Sequence, residues 1–206
     1  MVAIIDYGVG NLFSLRCSLE KIGAKVVVTG DPAVITSADR VILPGVGAFR
    51  DARKKLADSG LDHLVCALAK AGKPILGICL GMQMLFEKSY EFGEYDGLGL
   101  LKGSVKPLDG VIPQTYKIPQ IGWNALQMEK ESDLFRYIQN GDYVYFVHSF
   151  YAADCDDSLI ATCDYGVPIT AAVQKNNVYG CQFHPEKSGN VGLNILRAFC
   201  FEEAGV

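Results

Sequence analysis

The sequence predicts an α/β protein in three layers, with a mostly parallel central sheet, helices on both faces and an additional antiparallel β section. Short apolar runs alternate with helical patterns through the first half, which is the order of a parallel sheet with helical crossovers. Half of the residues are hydrophobic and 20% are charged, so the chain can bury a large core. A length of 206 residues without repeats or linkers indicates one domain over 1–206.

The first half of the chain contributes the parallel part of the predicted sheet. Its short apolar runs end at glycine or proline and predict buried strands. Between the first two runs, Leu12, Leu15 and Leu19 recur at helical spacing, and Gly23 ends that helix as a C-terminal cap. The predicted elements are strands over 2–6, 25–29, 40–43 and 74–78, and helices over 11–22, 48–57, 61–71 and 80–87.

The second half has a different character, because short strand-like runs replace the helical patterns between about 98 and 182. The segment Lys-Asn-Asn at 175–177 separates two such runs at the spacing of a β-hairpin. A helical pattern returns from about Gly189 to Glu202. We therefore predict a final helix after strands over 143–147, 159–163, 169–173 and 177–181.

The composition excludes several classes of protein. Lys and Arg number 19 against 23 Asp and Glu, a net charge of −4, so a general nucleic-acid-binding face is not expected. No apolar run approaches the roughly 20 residues of a membrane-spanning helix, and the first residues do not have the form of a signal peptide. Seven cysteines without a Cys-x-x-Cys pair favour a reducing compartment, so we expect a cytoplasmic location.

The strongest chemical signal is the segment Gly-Ile-Cys-Leu-Gly at 77–81, where a predicted strand meets a predicted helix. It has the form of a nucleophile elbow, a tight turn that lifts a reactive side chain out of the sheet. Cys79 would stand at a helix N-terminus that favours the thiolate, and the N–H of Leu80 would face an oxyanion. The alternative is a buried structural cysteine, which is our interpretation of the other six: Cys17, Cys66, Cys155, Cys163, Cys181 and Cys200.

His184 is the candidate base for this nucleophile. Pro185 favours an extended conformation at His184, in which side chains two apart face the same way, so Glu186 would lie beside the imidazole. A carboxylate there holds the histidine tautomer and stabilises the imidazolium. Alone, this segment is more typical of an exposed turn, but an elbow cysteine makes a triad the better account. Cys181 lies three residues before His184, yet no second Cys/His pair has ligand spacing, so zinc is not expected.

A glycine-rich segment, Pro-Gly-Val-Gly at 44–47, follows the third predicted strand. Parallel sheets bind ligands beyond the carboxyl ends of their strands. Gly45 and Gly47 would let backbone N–H groups approach a substrate oxygen there. Because the spacing of a nucleotide phosphate loop is absent, we predict an oxyanion or substrate-backbone role, and a plain strand–helix turn is the alternative.

These segments also indicate a family. Gly-Ile-Cys-Leu-Gly-Met-Gln at 77–83 and Gln-Phe-His-Pro-Glu at 182–186 resemble the motifs of the class I (triad) glutamine amidotransferases. Further segments spread over nearly the whole chain are similar to the glutaminase subunits of imidazole glycerol phosphate synthase, and they lie at 6–12, 43–49, 119–124, 145–149 and 184–188.

The resemblance implies a chemistry without cofactor or metal. Cys79 would attack the side-chain amide of glutamine and form a glutamyl thioester, His184 would carry the protons, and Glu186 would orient His184. Phe150 stands where the family pattern has tyrosine, so Phe150 would act through its backbone. The residues implied in the oxyanion hole and in holding glutamine are Gly45, Val46, Gly47, Leu80, Gln83, Ser149 and Phe150.

The resemblance further implies a partner, a (β/α)₈-barrel cyclase subunit in a heterodimer. The cyclase would use the ammonia to form imidazole glycerol phosphate and aminoimidazole carboxamide ribotide in histidine biosynthesis. Trp123 lies in a loop-like stretch and is equally compatible with the core and with an interface. The residues that match family positions near the partner are Asn11, Gln120, Trp123, Tyr145, His148 and Lys187.

Three alternatives stay open from the sequence. The chain could serve a related amidotransferase in another pathway, such as sugar modification. It could be a self-contained cysteine hydrolase, a peptidase or esterase, which the elbow alone would support. It could also be a non-catalytic regulatory subunit, although the intact Cys79, His184 and Glu186 argue against this.

Overall fold

Strands and helices alternate through the first half of the computed structural model, which describes residues 1–201. The first half contains β1 (Val2–Ile5), α1 (Leu12–Lys21), β2 (Val26–Thr29), α2 (Pro32–Ser37), β3 (Arg40–Leu43), α3 (Phe49–Asp58), α4 (Leu61–Lys70), β4 (Ile75–Ile78) and α5 (Leu80–Met84). The second half contains β5 (Phe86–Ser89), β6 (Tyr95–Asp96), β7 (Leu101–Pro107), β8 (Gln120–Met128), β9 (Tyr143–His148), β10 (Phe150–Ala153), β11 (Leu159–Asp164), β12 (Pro168–Lys175), β13 (Val178–Cys181) and α6 (Gly189–Cys200).

The large sheet combines a parallel and an antiparallel part. In the described part of the chain, its nine strands have the order β2-β1-β3-β4-β13-β12-β11-β8-β9. The first five strands are parallel, and each later strand pairs antiparallel with its neighbour. A second sheet of four strands has the order β10-β7-β5-β6. The predicted fold class, a mostly parallel sheet with an added antiparallel section, is therefore confirmed.

Each face of the large sheet covers its own apolar core. The parallel strands inside the sheet are buried on both faces, so their side chains alternate between the two cores, as Ile4 and Ile5 of β1 do. One core includes Leu15 and Leu19 of α1 and the apolar face of α6. The other core includes residues from α2, α3, α4 and α5. The three predicted layers follow from this division.

Most predicted elements are observed close to their expected bounds, including the hairpin of β12 and β13, where Lys175 pairs with Val178. The predicted end of the last helix at Glu202 lies outside the described residues, and α6 ends at Cys200. Helix α2 was not predicted, although its start has a sequence signal, since the Asp31 side chain accepts a hydrogen bond from the N–H of Ala33.

Two predicted segments are wrong. The helix predicted over 80–87 ends at Met84, because Phe86–Ser89 instead forms β5 and buries Phe86 and Ser89 in the small sheet. The stretch 119–124, expected to be loop-like, is mostly the start of β8, with Gly122 at a φ of 140°. None of the helices in residues 1–201 is both long and apolar enough to cross a membrane.

Candidate active site

A cleft of about 360 Å³ opens where the parallel strands end. The segment after β3, the elbow after β4 and His184 after β13 all reach it, as expected for ligand sites of parallel sheets. Most of the predicted catalytic and substrate-binding residues therefore line the cleft. Its lining consists of Val46, Gly47, Cys79, Leu80, Gln83, Glu91, Phe92, Val147, His148, Ser149, Phe150, His184 and Lys187.

Cys79 has the strained backbone of a nucleophile elbow. Its φ is 54° and its ψ is −113°, a conformation that L-residues rarely adopt. The strain is held in place by the Cys79 N–H, which donates to the Cys181 carbonyl at 2.7 Å, and by close packing around the two elbow glycines. A Cβ on Gly77 would lie 2.7 Å from the Met82 backbone, and one on Gly81 would lie 1.9 Å from the Leu43 carbonyl oxygen. The predicted elbow is therefore present.

His184 and Glu186 form the expected imidazole–carboxylate pair. Nδ1 of His184 lies 2.8 Å from Oε1 of Glu186, and both side chains are almost fully buried. Glu186 lies in a short 3₁₀ helix, Pro185–Lys187, and His184 caps that helix in an extended conformation. Although burial by itself lowers the pKa of His184, hydrogen bonding to Cys79 and Glu186 raises it to about 9. Since Nδ1 faces Glu186, Nε2 is the nitrogen left to exchange protons with sulfur and substrate.

The end of the glycine-rich segment 44–47 forms part of the cleft lining. Val46 and Gly47 line the cleft, and Gly47 has a φ of 88°, which favours glycine. Gly45 does not line the cleft and is buried against the elbow helix, since a Cβ there would lie 2.7 Å from the Gly81 nitrogen. The Tyr7 hydroxyl donates to the Pro44 carbonyl at 2.7 Å and so anchors the start of this segment.

Sequence reasoning missed Glu91 and Phe92, which lie in the turn between β5 and β6. Oε2 of Glu91 accepts a hydrogen bond from the N–H of Phe49 at 2.7 Å, just after the glycine-rich segment, and burial raises the Glu91 pKa. The Phe92 ring packs edge-on against Phe150 at 5.7 Å. No motif around these residues points to the cleft, because only the pairing of β5 in the small sheet brings them there.

Gln83 and Gln182 link the nucleophile to the strand that begins at Phe150. Nε2 of Gln83 donates to the Phe150 carbonyl and to Oε1 of Gln182, each at 3.0 Å. Nε2 of Gln182 in turn donates to the sulfur of Cys79 at 3.7 Å. Gln182 was also missed, although its position two residues before His184 places both side chains on one side of an extended segment.

Two residues expected at a partner surface are buried instead. Gln120 is fully buried, and its amide nitrogen donates to Oδ1 of Asn124 at 2.9 Å, so it has no exposed face to offer. His148 is buried in the cleft, where Nδ1 donates to the Phe150 carbonyl at 2.9 Å. Burial lowers the pKa of His148 to about 4, so its imidazole is neutral at pH 7. Gln120 and His148 are buried because side chains alternate between the two faces of the sheet along β8 and β9. The loop-like interpretation of 119–124 did not include this alternation.

Of the other expected partner residues, Lys187 lines the cleft, and Tyr145 and Trp123 follow it in a chain of ring contacts. Trp123 is 52% exposed, which excludes the core alternative, and its ring packs edge-on against Tyr145 at 5.9 Å. The ammonium of Lys187 lies 5.8 Å from the centre of the Tyr145 ring. We call Trp123, Tyr145 and Lys187 the aromatic patch. Asn11 is half-buried directly before α1.

Comparisons with known proteins place this geometry in a family. The model of the class I glutamine amidotransferases matches residues 3–202. The chain belongs to the class I glutamine amidotransferases. It is 50% identical to the imidazole glycerol phosphate synthase subunit HisH of Wolinella succinogenes over 202 residues, covering 97% of this chain and 98% of that protein. It is 52% identical to the HisH subunit of Lactococcus lactis subsp. lactis over 202 residues, with 98% of each chain covered.

Solved structures share the fold. A glutamine amidotransferase crystal structure superposes with a TM-score of 0.75 at 17% identity, over 97% of this chain and 99% of that one. PurLQS from Thermotoga maritima superposes with a TM-score of 0.72 at 22% identity, over 96% of each chain. The resemblance seen in the sequence is confirmed, and the chain is a glutamine amidotransferase. Membership of this family favours glutaminase chemistry over the peptidase, esterase and non-catalytic alternatives.

Proposed function

We propose that the chain hydrolyses L-glutamine through a triad of Cys79, His184 and Glu186 and passes the ammonia to a (β/α)₈-barrel cyclase subunit, as the glutaminase subunit of imidazole glycerol phosphate synthase. The observation that best supports this proposal is the His184–Glu186 pair, held at 2.8 Å in the same cleft as a cysteine on a strained elbow. The HisH relatives support the assignment to this synthase.

The first half-reaction forms the thioester. His184 Nε2 holds the proton of Cys79 while the sulfur attacks the amide carbon of glutamine and the carbonyl electrons move to oxygen. Backbone N–H groups of Val46, Gly47 and Leu80 stabilise that oxyanion in this proposal. The C–N bond then breaks, His184 gives its proton to the leaving nitrogen, and ammonia departs. Glu186 holds Nδ1 and stabilises the imidazolium that carries the proton.

The second half-reaction releases glutamate. His184, now neutral, takes a proton from water, and the resulting hydroxide attacks the thioester carbonyl. The C–S bond breaks, and the sulfur is restored. Gln83, Ser149 and the backbone of Phe150 would hold the amino-acid end of glutamine on the wall that faces Cys79.

The partner and the compartment belong to the same proposal. The aromatic patch beside the cleft is the surface we assign to the cyclase, because exposed Trp and Tyr side chains are typical anchors of protein interfaces. Ammonia released in the cleft would then emerge beside the partner. We place the protein in the cytoplasm, where its seven free cysteines are chemically compatible with the reducing environment.

The experiment uses Cys79→Ala in the complex with the cyclase subunit. We expect glutamine-dependent synthesis to fall by about 1,000-fold or more, while synthesis from added ammonium stays unchanged, because only the source of ammonia is lost. Cys155→Ala, which removes another buried thiol outside the cleft, is the matched control. Glutamine hydrolysis that persisted in Cys79→Ala would contradict the role of Cys79, and failure of any complex to form would contradict the partner.

A further inference from the structure

The backbone of His184 is held by a closed ring of hydrogen bonds. The N–H of His184 donates to the Tyr145 carbonyl at 2.9 Å. The hydroxyl of Ser188 donates to the His184 carbonyl at 2.7 Å and accepts from the N–H of Tyr145 at 3.0 Å. Both backbone groups of His184 are therefore tied to both backbone groups of Tyr145, one pair directly and the other through a single hydroxyl.

Ser188 is fixed in a tightly packed position. Its exposed fraction is 1%, and its N–H donates to the Pro185 carbonyl at 3.1 Å. The first turn of α6 packs on the same turn of chain, since a Cβ on Gly192 would lie 1.9 Å from the Pro185 oxygen and 2.8 Å from Cβ of Ser188. The hydroxyl is too buried for bulk water to take over its bonds, so removing it leaves the Tyr145 N–H without this partner.

The strand that Ser188 contacts also forms a wall of the cleft. Within residues 1–201, β9 pairs in the large sheet with β8 alone, so its other edge is open to different partners. At Tyr145 that edge is occupied by the turn 184–188 through the bonds described above. Two and three residues further along, Val147 and His148 line the cleft. The bonds of Ser188 therefore set how the segment that carries His184 sits against β9.

We propose that Ser188 is a positioning residue for the glutaminase reaction: its hydroxyl locks the backbone of His184 onto β9 and so keeps the imidazole between Glu186 and Cys79. This inference rests on the proposed triad. It assigns a chemical role to the serine two residues after Glu186, beyond the Cys–His–Glu set itself. It also links His184 to the strand of Tyr145, a member of the aromatic patch.

The test is Ser188→Ala, assayed for glutamine hydrolysis in the complex with the cyclase subunit. We expect kcat to fall about 10- to 100-fold with little change in KM, because a small displacement of a catalytic base slows chemistry more than it weakens substrate binding. The matched control is Ser158→Ala. Ser158 is also buried, and its hydroxyl also donates to a backbone carbonyl, that of Cys155 at 3.2 Å, but it lies outside the cleft. The control should keep the kcat of the wild type.

A second readout separates positioning from a general loss of structure. The rate of Cys79 alkylation by iodoacetamide, followed by mass spectrometry on the chain alone, reports the protonation of the thiol–imidazole pair as a function of pH. The contacts with Cys79 and Glu186 raise the pKa of His184, and burial opposes them. Alkylation requires the thiolate, which the His184 imidazolium stabilises. A displaced imidazole should therefore slow alkylation of Cys79 at pH 7 and move the profile of Ser188→Ala to higher pH, whereas Ser158→Ala should leave the profile unchanged.

The outcomes are distinct. A folded Ser188→Ala with the kcat and alkylation profile of the wild type would overturn the inference, and so would equal changes in Ser188→Ala and Ser158→Ala. If the alanine variant does not fold, Ser188→Cys replaces the hydroxyl with a weaker and slightly larger donor, and its kcat should fall below that of the wild type. If Cys79→Ala remains a glutaminase, the triad itself is wrong; if Cys79→Ala is inactive and Ser188→Ala is not impaired, only the role of Ser188 is wrong.

Discussion

At the scale of single residues, two histidines in one cleft are held in opposite charge states. Hydrogen bonding raises the pKa of His184 to about 9 against the effect of burial, whereas burial lowers the pKa of His148 to about 4. At pH 7 His184 is an imidazolium that can protonate a leaving amide, and His148 is a neutral side chain that orients the Phe150 carbonyl. The sequence motifs did not distinguish the roles of the two histidines. The burial of each imidazole and its hydrogen-bond partners in the fold did.

His148 makes the folded protein sensitive to acid. An unfolded histidine takes up a proton near pH 6.5, but folded His148 does so only near pH 4, so stability is lost as the pH falls between these values. We expect His148 to account for a loss of roughly 2 kcal/mol in the free energy of unfolding between pH 7 and pH 5. His148→Asn, which keeps a donor for the Phe150 carbonyl, should lose less stability over this range in urea titrations.

His184 changes the stability with pH in the opposite sense, and its contribution is the same in the wild type and in His148→Asn. Its raised pKa contributes stability that is fully present below about pH 6.5 and is lost as the pH rises through about 9. The comparison of wild type with His148→Asn therefore isolates His148. An identical acid dependence in the two proteins would show that the imidazole of His148 already titrates normally in the fold.

At the scale of elements, the parallel half was predictable and the small sheet was not. Buried parallel strands are continuous apolar runs, and the elbow has a specific pattern of glycines around Cys79, so both have local signals. Strand β5 has none, because Glu87 and Lys88 follow a helical start and only pairing with β6 and β7 makes the segment extended. Glu91 and Phe92 reach the cleft through that pairing, which is why the sequence analysis missed them.

The elbow depends on the close approach of α5 to β3. Gly81→Ala would place a methyl group 1.9 Å from the Leu43 carbonyl oxygen, so α5 must move away from the strand. We expect a loss of about 3 kcal/mol in the free energy of unfolding and a large fall in kcat, measured by chemical denaturation and glutamine hydrolysis. Gly72→Ala is the control: its φ is 87° but no atom lies within 4 Å, so strain of about 1 kcal/mol is expected there with activity retained. If Gly81→Ala and Gly72→Ala lost equal stability and activity, the close approach of α5 to Leu43 would not be what the elbow depends on.

At the scale of the whole molecule, the cleft and the aromatic patch lie next to one another, which suits an enzyme that passes on a small product. One domain over 1–206 remains a prediction, and the sheet that runs from β2 to β9 supports it. The class I family followed from motifs in the sequence, and the three layers followed from the alternation of apolar runs and helical patterns. The exposure of Trp123 and the burial of Gln120 required the register of β8 and β9.

Trp123 should contribute strongly to binding of the cyclase subunit. Trp123→Ala removes an exposed indole from the aromatic patch, and we expect Kd to rise about 30-fold in calorimetric titrations with that subunit, as for a typical interface anchor. Tyr137→Ala, which removes an aromatic ring that is 42% exposed and outside the lining of the cleft, should leave Kd unchanged. A weakening that was the same in both variants would place the partner elsewhere on the surface.

At Ser149 the chain passes from β9 of the large sheet to β10 of the small one, and this division bears on how substrate choice could be altered. The proposed nucleophile and base follow strands of the large sheet, whereas Phe150 lies in the small sheet and Glu91 and Phe92 lie in one of its turns. We therefore expect substitutions in the small sheet to change which amide the cleft admits without displacing Cys79 or His184. A library restricted to 86–107 and 150–153 is the natural place to select for altered substrate choice.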